Sequence, residues 1–452
     1  MIEKIYELYK TAYTVTTDSR TITQNCVFVA LKGEHFDGND FALKVAEEGI
    51  AAAVIADRQD LPKHERLFVV KDSLKALQEL AKYHREQLGL PIIGITGTNG
   101  KTTTKELVSA VLAQKYNIVF TQGNFNNQLG VPLTVLRIKP DAEMAVVEMG
   151  ASHPGDIDEL TNIGEPNYGM ITNIGRAHLR DFGGYEGVIK TKNEMYQYIG
   201  AHNGLLFVNK DNELLMNLAN NINKVTYGTG DDADVKGKML SANPYLSVEW
   251  NGHKINTQLV GDYNFENVMA AICIGKYFKV DDNDIIEALS SYHPTNNRSQ
   301  VIETGKNRVV MDAYNANPTS MSHALKNFRN ICKDDNLLIL GDMRELGEES
   351  QQEHQNILNL VKELGFKKVY LVGSEFTQSM EFTKSMLSAL TKLENTKYSD
   401  KSMLSALTLE EYLVFSNVEE LAQHIQKNPV SGFDILVKGS NSVHLNKIID
   451  SL

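Results

Sequence analysis

Gly94-Ile95-Thr96-Gly97-Thr98-Asn99-Gly100-Lys101-Thr102 decides how this chain is read. The stretch leaves a short apolar run, Pro91–Thr96, and enters a segment with helical spacing from Lys101 to about Gln114. Glycines at a strand-to-helix junction let the backbone turn tightly. Successive N–H groups from Gly97, Thr98, Asn99 and Gly100 through Thr102 and Thr103 can then converge on one anion. The N-terminus of the helix adds partial positive charge. Lys101 has the reach for the outer phosphates of a nucleoside triphosphate, and the Thr102 hydroxyl suits Mg2+. The spacing GxxxxGK[ST] is not met, because Ile95 stands at its first glycine. An ordinary strand–helix turn ending in a surface lysine is the plainer alternative. Gly100-Lys101 followed by three threonines argues against it.

The flanking patterns predict an α/β chain of three domains. Residues 1–88 read as a small mixed α/β domain. Its strands are expected at Cys26–Leu31, Ala52–Ile55 and Leu67–Val70, and its helices at Ile2–Lys10, Asp40–Glu48 and Ser73–Gln87. Gly89-Leu90-Pro91 breaks the last helix. Residues 89–297 read as a central P-loop, parallel-sheet, ATPase-like domain, with further buried strands at Ala145–Glu148, Gly169–Asn173 and Leu205–Asn209. Within it, 224–262 alternates differently. Leu246, Val248 and Trp250 precede Asn251-Gly252, and Ile255, Thr257 and Leu259 follow, the signature of a type I′ hairpin. That predicts an antiparallel appendage, then a helix over Asn264–Tyr277. Residues 298–452 read as a C-terminal, Rossmann-like α/β domain with strands at Val309–Ala313, Leu337–Leu340, Lys368–Val372 and Ile435–Val437. The octamer KSMLSALT occurs at 384–391 and again at 401–408. A single exact copy is not a solenoid repeat, and it reads as a local surface duplication.

Bulk composition narrows the function. Lys and Arg total 45 against 57 Asp and Glu, a formal charge of −12. Nucleic-acid partners need basic stripes, so none is expected, whereas a backbone nest can still hold a small anion. Cys26, Cys273 and Cys332 are far apart, which fits a reducing compartment and offers no zinc spacing. MIEKIYELYK is charged throughout and lacks a signal-peptide core, and no apolar run approaches a membrane span. A cytoplasmic monomer is the expectation.

The loop at 97–102 resembles the GTNGKT loop of the Mur ligases and folylpolyglutamate synthases. Further stretches resemble the Mur ligases across nearly the whole chain. They are Thr17-Asp18-Ser19-Arg20, Val27 to Glu34, Gly123-Asn124-Phe125-Asn126-Asn127, Val147 to Ala151, Ala177-His178-Leu179, Asp312 to Pro318 (DAYNANP) and Leu340-Gly341-Asp342-Met343. Of these, DAYNANP points to the members that add D-alanyl-D-alanine to a UDP-N-acetylmuramoyl-tripeptide. The resemblance implies an ATP-dependent amide ligase working through an acyl phosphate in peptidoglycan precursor synthesis.

It also assigns roles. Glu148, at the end of a buried strand, would ligate Mg2+ with Thr102; taken alone it could equally cap a helix. His178 would help to bind a second Mg2+, and Lys192 would be carbamylated and bridge the ions. Asn267 would contact adenine, although a helix cap is also open to it. Arg298 would reach the γ-phosphate and Asp312 the ribose. Ser19, Arg20, Lys32 and Gly33 would hold the uridine diphosphate end. Asn124, Asn126 and Asn127 would lie near the peptide carboxylate, and Asn315 and Asn317 would face the incoming dipeptide. His354 and Asp342 are the candidates for a base acting on the amine. Two positions depart from the pattern: Asn39 stands where many relatives have His, and Asn441 where the family usually has Arg. A sibling ligase acting on folate or adding a single amino acid is the first rival, and a nucleotide-binding regulatory module without catalysis is the second.

Overall fold

The computed structural model describes residues 1–177, 179–294, 298–382 and 412–452. His178 and both copies of KSMLSALT lie outside the described residues. Packing divides the chain into two units. One comprises Met1–Ile174, Ile189–Lys236 and Asn267–Ala288; the other comprises Gly175–Val188, Gly237–Glu266 and Leu289–Leu452.

The first unit holds two parallel sheets. Val15–Thr16 (β1), Val27–Val29 (β2), Ala53–Ala56 (β3) and Leu67–Val69 (β4) lie side by side in chain order. The helix Ser73–Gln87 starts where the Asp72 carboxylate accepts the Lys75 N–H at 2.9 Å, a side-chain N-cap. The parallel part of the larger, nine-stranded sheet uses Ile92–Thr96 (β5), Ile118–Phe120 (β6), Met144–Glu148 (β7), Tyr168–Ile171 (β8), Leu205–Asn209 (β9) and Lys224–Gly228 (β10), in the order β10-β9-β8-β5-β7-β6. All these neighbours are parallel. Every residue of β5 and β7 is buried, as a sheet covered on both faces requires. The two sheets share a core: Ile5, Tyr9, Leu77 and Leu80 cluster with Val131, Val135, Val147 and Leu160. The Tyr9 hydroxyl donates to Leu136 O at 2.7 Å, and Lys75 pairs with Glu159 at 2.6 Å.

The order of the larger sheet reverses at β5, whose neighbours are β7 and β8. In open parallel sheets, ligands bind at such a switch point, beyond the C-terminal strand ends. The chain there supplies the loop after Thr96, Glu148, and Thr172-Asn173.

The antiparallel segment expected over 224–262 is shorter than that: Val235–Ala242 (β11), Tyr245–Trp250 (β12) and His253–Val260 (β13) pair antiparallel, whereas Lys224–Gly228 is the parallel strand β10, and β11 joins it in parallel at Val235 and Lys236. Asn251 and Gly252 both have positive φ, 50° and 77°, the type I′ geometry that the Asn-Gly pair predicts. Leu246, Val248, Trp250, Ile255, Thr257 and Leu259 are buried. Val260 belongs to the same apolar cluster as Val310, Met321 and Leu338. The remaining strands are Gln300–Glu303 (β14), Arg308–Asp312 (β15), Asn336–Gly341 (β16), Val369–Val372 (β17), Tyr412–Phe415 (β18) and Asp434–Lys438 (β19). They form a sheet ordered β14-β15-β19-β16-β17-β18, parallel except for β14. Asp312, Asp342 and Lys438 to Ser440 gather at its C-terminal edge. Among the described residues, no helix is long and apolar enough to cross a membrane.

Candidate active site

The phosphate loop is held from behind by the chain after β8. Thr98 N donates to Asn173 O (2.9 Å), and Asn99 N to Asn173 Oδ1 (3.0 Å). Thr172 Oγ1 and Asn173 Nδ2 both donate to Asn99 O, at 2.6 and 3.0 Å. Gly97 has φ +140°, and a Cβ there would come within 2.0 Å of Thr172 Oγ1. Gly100 has φ +79°, and a Cβ there would come within 2.7 Å of Asn267 Oδ1. Both glycines are therefore required by conformation and by close approach. Lys101 Nζ folds onto its own loop, donating to Gly97 O (2.7 Å) and Thr98 O (3.1 Å).

Register brings Glu148 beside the loop, because Ile95 pairs with Glu148 across β5 and β7. Glu148 is 1% exposed. Its Oε2 accepts the Thr102 hydroxyl at 2.9 Å, its Oε1 accepts Asn126 Nδ2 at 2.8 Å, and its backbone N–H donates to Thr121 Oγ1 at 3.0 Å. One buried carboxylate thus joins the phosphate loop to the 123–127 segment. Asn127 Oδ1 accepts from Leu129 N and Gly130 N in the turn that leads into the helix Gly130–Val135, while the Asn124 carbonyl accepts Asn126 N at 2.7 Å. Asn267 is buried and accepts the Thr104 hydroxyl at 3.0 Å, tying the helix Asn264–Tyr277 to the one after the loop.

Lys192, on the helix Tyr185–Ala201, is 3% exposed. Burial first, and Lys101 second, push its ammonium down to about 7, while Asp156 and Glu194 pull the other way. A large neutral-amine fraction at neutral pH follows. Among the described residues, no three His, Cys, Asp or Glu are grouped as a metal cage. The donors present are one carboxylate and one hydroxyl beside a phosphate loop. That set fits Mg2+, which keeps waters and takes substrate phosphate oxygens rather than an all-protein cage.

The second unit carries the other expected residues. The Arg298 guanidinium lies 3.7 Å over the Tyr314 ring, and its Nε is buried without a hydrogen-bond partner among the described residues. Asp312 Oδ1 accepts Ser299 N (3.1 Å), and its Oδ2 accepts the buried Lys438 ammonium at 2.5 Å. Asn315 Oδ1 accepts Ala316 N at 2.9 Å. Asn317 is a helix cap: its Oδ1 accepts Ser320 N, and Ser320 Oγ accepts Asn317 N, a capping box for Pro318–Ile331.

Two expectations are corrected here. His354 is fully buried; its Nε2 accepts Met343 N at 3.0 Å, its Nδ1 faces Ser350 O at 2.7 Å, and burial lowers its pKa. Both ring nitrogens are engaged, so it has no lone pair for a substrate amine. Asp342, also fully buried, accepts Glu375 N and Phe376 N at 3.2 and 3.0 Å and lies 3.6 Å from Arg344. It anchors backbone rather than acting as a base. Ser440 Oγ accepts Arg344 N at 2.9 Å, and Asn441 after it is exposed.

At the N-terminal sheet, Ser19 and Arg20 form a single 3-10 turn capped by Asp18. Arg20 is exposed, pairs with Asp18 at 2.7 Å, and holds that carboxyl down at about 2. The backbones of Lys32 and Asp37 form an isolated antiparallel bridge, and Gly33 N donates to Phe36 O at 2.9 Å. Thr104, Thr121, Thr172, Asn173 and Lys438 were not singled out as site residues from sequence. The available signal was position: each polar residue follows or ends an apolar strand or lies in the first turn after the loop.

Three family models match the chain: "Mur ligase family, catalytic domain" over 11–85, "Mur ligase middle domain" over 95–275, and "Mur ligase, glutamate ligase domain" over 297–441. The UDP-N-acetylmuramoyl-tripeptide–D-alanyl-D-alanine ligase of Bacillus subtilis is 34% identical over 445 residues, covering 97% of this chain and 92% of its own. The crystal structure of MurF from Acinetobacter baumannii superposes with TM-score 0.80 at 28% identity, covering 97% of this chain and 93% of that one. MurF ligase from Thermotoga maritima in complex with ADP gives 0.78 at 25% identity, with 97% and 96% covered.

Proposed function

The chain belongs to the Mur ligase family, and from that premise we propose that it joins D-alanyl-D-alanine to a UDP-N-acetylmuramoyl-tripeptide, converting ATP to ADP and phosphate. The observation that carries this reading is the Thr102–Glu148 hydrogen bond at the mouth of a glycine-shaped N–H loop, on the switch point of the larger sheet. ATP lies with its phosphates on the amides of 97–103. Lys101 exchanges the carbonyls of Gly97 and Thr98 for phosphate oxygens, and Asn267 borders the adenine. The tripeptide carboxylate, next to Asn124, Asn126 and Asn127, attacks the γ-phosphorus; the bond to the β-phosphate oxygen breaks, giving an acyl phosphate and ADP. The dipeptide amine then attacks the acyl carbon, phosphate leaves with the bonding pair, and the proton shed by the new amide nitrogen passes to the departing phosphate.

Lys101 and Arg298 neutralise charge developing on the transferred phosphoryl group. Asp312 is the ribose contact, and Asn315 and Asn317 border the incoming dipeptide. Thr102 and Glu148 would hold Mg2+, with His178 and Lys192 at a second ion; bound there, the metal supplies electrostatic stabilisation of the phosphates. The neutral Lys192 amine is the form that adds CO2 to give a carbamate and a proton. Ser19, Arg20, Lys32 and Gly33 serve the UDP end. Nucleotide-linked substrates suit a cytoplasmic enzyme.

Mass spectrometry of the products from UDP-N-acetylmuramoyl-tripeptide, ATP and D-alanyl-D-alanine tests this directly. The expected product carries two more alanines. Turnover only with a single amino acid or a folate would favour a sibling ligase. ATP binding without ADP release, whatever the acceptor, would favour a non-catalytic nucleotide module.

A further inference from the structure

Asn39 is 3% exposed in the first turn of the helix Asn39–Glu48, and its side chain makes four hydrogen bonds, its full set. Nδ2 donates to Asp37 Oδ1 and to Asp57 Oδ1, both at 2.8 Å. Oδ1 accepts Asp57 N at 3.0 Å and Arg58 N at 3.3 Å. Its backbone N–H adds a second bond to Asp37 Oδ1 at 2.9 Å, and Arg58 Nη2 donates to Asp37 Oδ2 at 3.1 Å.

Asp37 ends a narrow loop. Lys32 and Asp37 form an isolated antiparallel backbone bridge, Gly33 N donates to Phe36 O, and Gly38 N donates to Leu31 O at 2.8 Å. Gly38 lies so close to the chain that a Cβ there would come within 2.8 Å of Leu31 O. The Phe36 ring sits against Gly33, 2.9 Å from where a Cβ would be, and stays 59% exposed. The loop is thus closed on the end of β2 by backbone bonds and fastened to the turn after β3 through Asn39 and Arg58.

We propose that Asn39 is a positioning residue for the uridine-nucleotide end of the substrate. It clamps loop 32–37 onto the Asp57-Arg58 turn, so that Lys32 meets a phosphate and the exposed face of Phe36 meets the planar base. This rests on the functional reading above. An aromatic face of this size offers a base a stacking surface at little conformational cost. The clamp fixes that face before substrate arrives, which lowers KM without touching the reacting groups.

The test is steady-state kinetics of Asn39→Ala, Phe36→Ala and the double variant, with hydrogen exchange on the same proteins. Asn39→Ala should raise KM for the UDP-linked tripeptide about ten-fold, with kcat and the KM values for ATP and dipeptide within about two-fold. Exchange at the amides of Gly33 and Gly38 should quicken about ten-fold or more, while that of 97–104 stays unchanged. The double variant should be no worse than the poorer single one, because Asn39 acts through the loop that presents Phe36. Equal losses in kcat and all three KM values, or strictly additive effects, would overturn the proposal. Should Asn39→Ala not fold, Phe36→Ala alone must raise KM for the UDP-linked substrate, and an unchanged KM refutes the assignment. If wild type does not turn over that substrate, the functional reading fails, and unchanged exchange at Gly33 and Gly38 would still remove the clamp.

Discussion

Replacing Lys192 by Met should stabilise the fold while abolishing ligation. The ammonium of a free lysine titrates near 10.5, and in the fold it is pushed down to about 7, chiefly by burial and next by Lys101. Between these values the unfolded chain holds a proton that the native chain has released. Native stability therefore rises with pH across that window and has lost its full share below pH 7. At pH 7 the two titrations correspond to a deficit of about 4 kcal/mol, shrinking by about 2 kcal/mol by pH 9. Lys192→Met fills similar volume without the charge. It should therefore be more stable than wild type at pH 7 by at most about 4 kcal/mol, and the advantage should fall by about 2 kcal/mol at pH 9. Urea unfolding in CO2-free buffer at pH 7, 8 and 9 measures the difference, and taking it between variant and wild type cancels the other lysines and tyrosines. Parallel pH curves for the two proteins, or a variant less stable at every pH, would refute the buried-amine argument. Stability withheld at a buried lysine is the trade expected where chemistry needs an uncharged amine.

Gly97→Ala puts a methyl on Thr172 Oγ1 in a backbone conformation that alanine avoids, and should weaken ADP binding by about 100-fold or more in calorimetry, since the loop must move to admit it. Glu148→Gln removes the charge that would face Mg2+ yet can keep its backbone bond to Thr121; kcat should fall by about 100-fold, and the Mg2+ concentration for half-maximal rate should rise. His354→Ala leaves the Met343 N–H buried without its acceptor and should cost about 1–3 kcal/mol in urea unfolding. The pH profile of kcat should keep its shape, and loss of its basic limb would restore His354 as a base. Asp312→Asn strands the buried Lys438 ammonium and should destabilise by about 3–5 kcal/mol, seen as a lowered unfolding midpoint.

Local pattern was sufficient for much of the scaffold. The runs Ile92–Thr96 and Met144–Glu148 are apolar end to end, and only strands covered on both faces read that way. Asn251-Gly252 announces a type I′ turn because few other residues accept two positive φ values in succession. Short edge strands were harder. Val15–Thr16, Ile118–Phe120 and Gln300–Glu303 are two to four residues long, none of them wholly buried, so their sequences carry little pattern. They are strands because a neighbour supplies the hydrogen bonds.

The chemistry of the phosphate loop was set by its own residues: glycines where φ is positive, a lysine and a threonine opening the helix. What surrounds it was not. The pairing of Ile95 with Glu148, the hold of Thr172 and Asn173 on the loop, and the depressed ammonium of Lys192 join residues tens of positions apart, through sheet register and burial. The same holds for the two reversals. His354 and Asp342 look like acid–base residues in a string of letters, yet each is taken up by backbone N–H groups that folding brings against it. A side chain's type follows from its codon; whether its lone pairs are free depends on which buried amides lie nearby, and only the assembled sheet decides that.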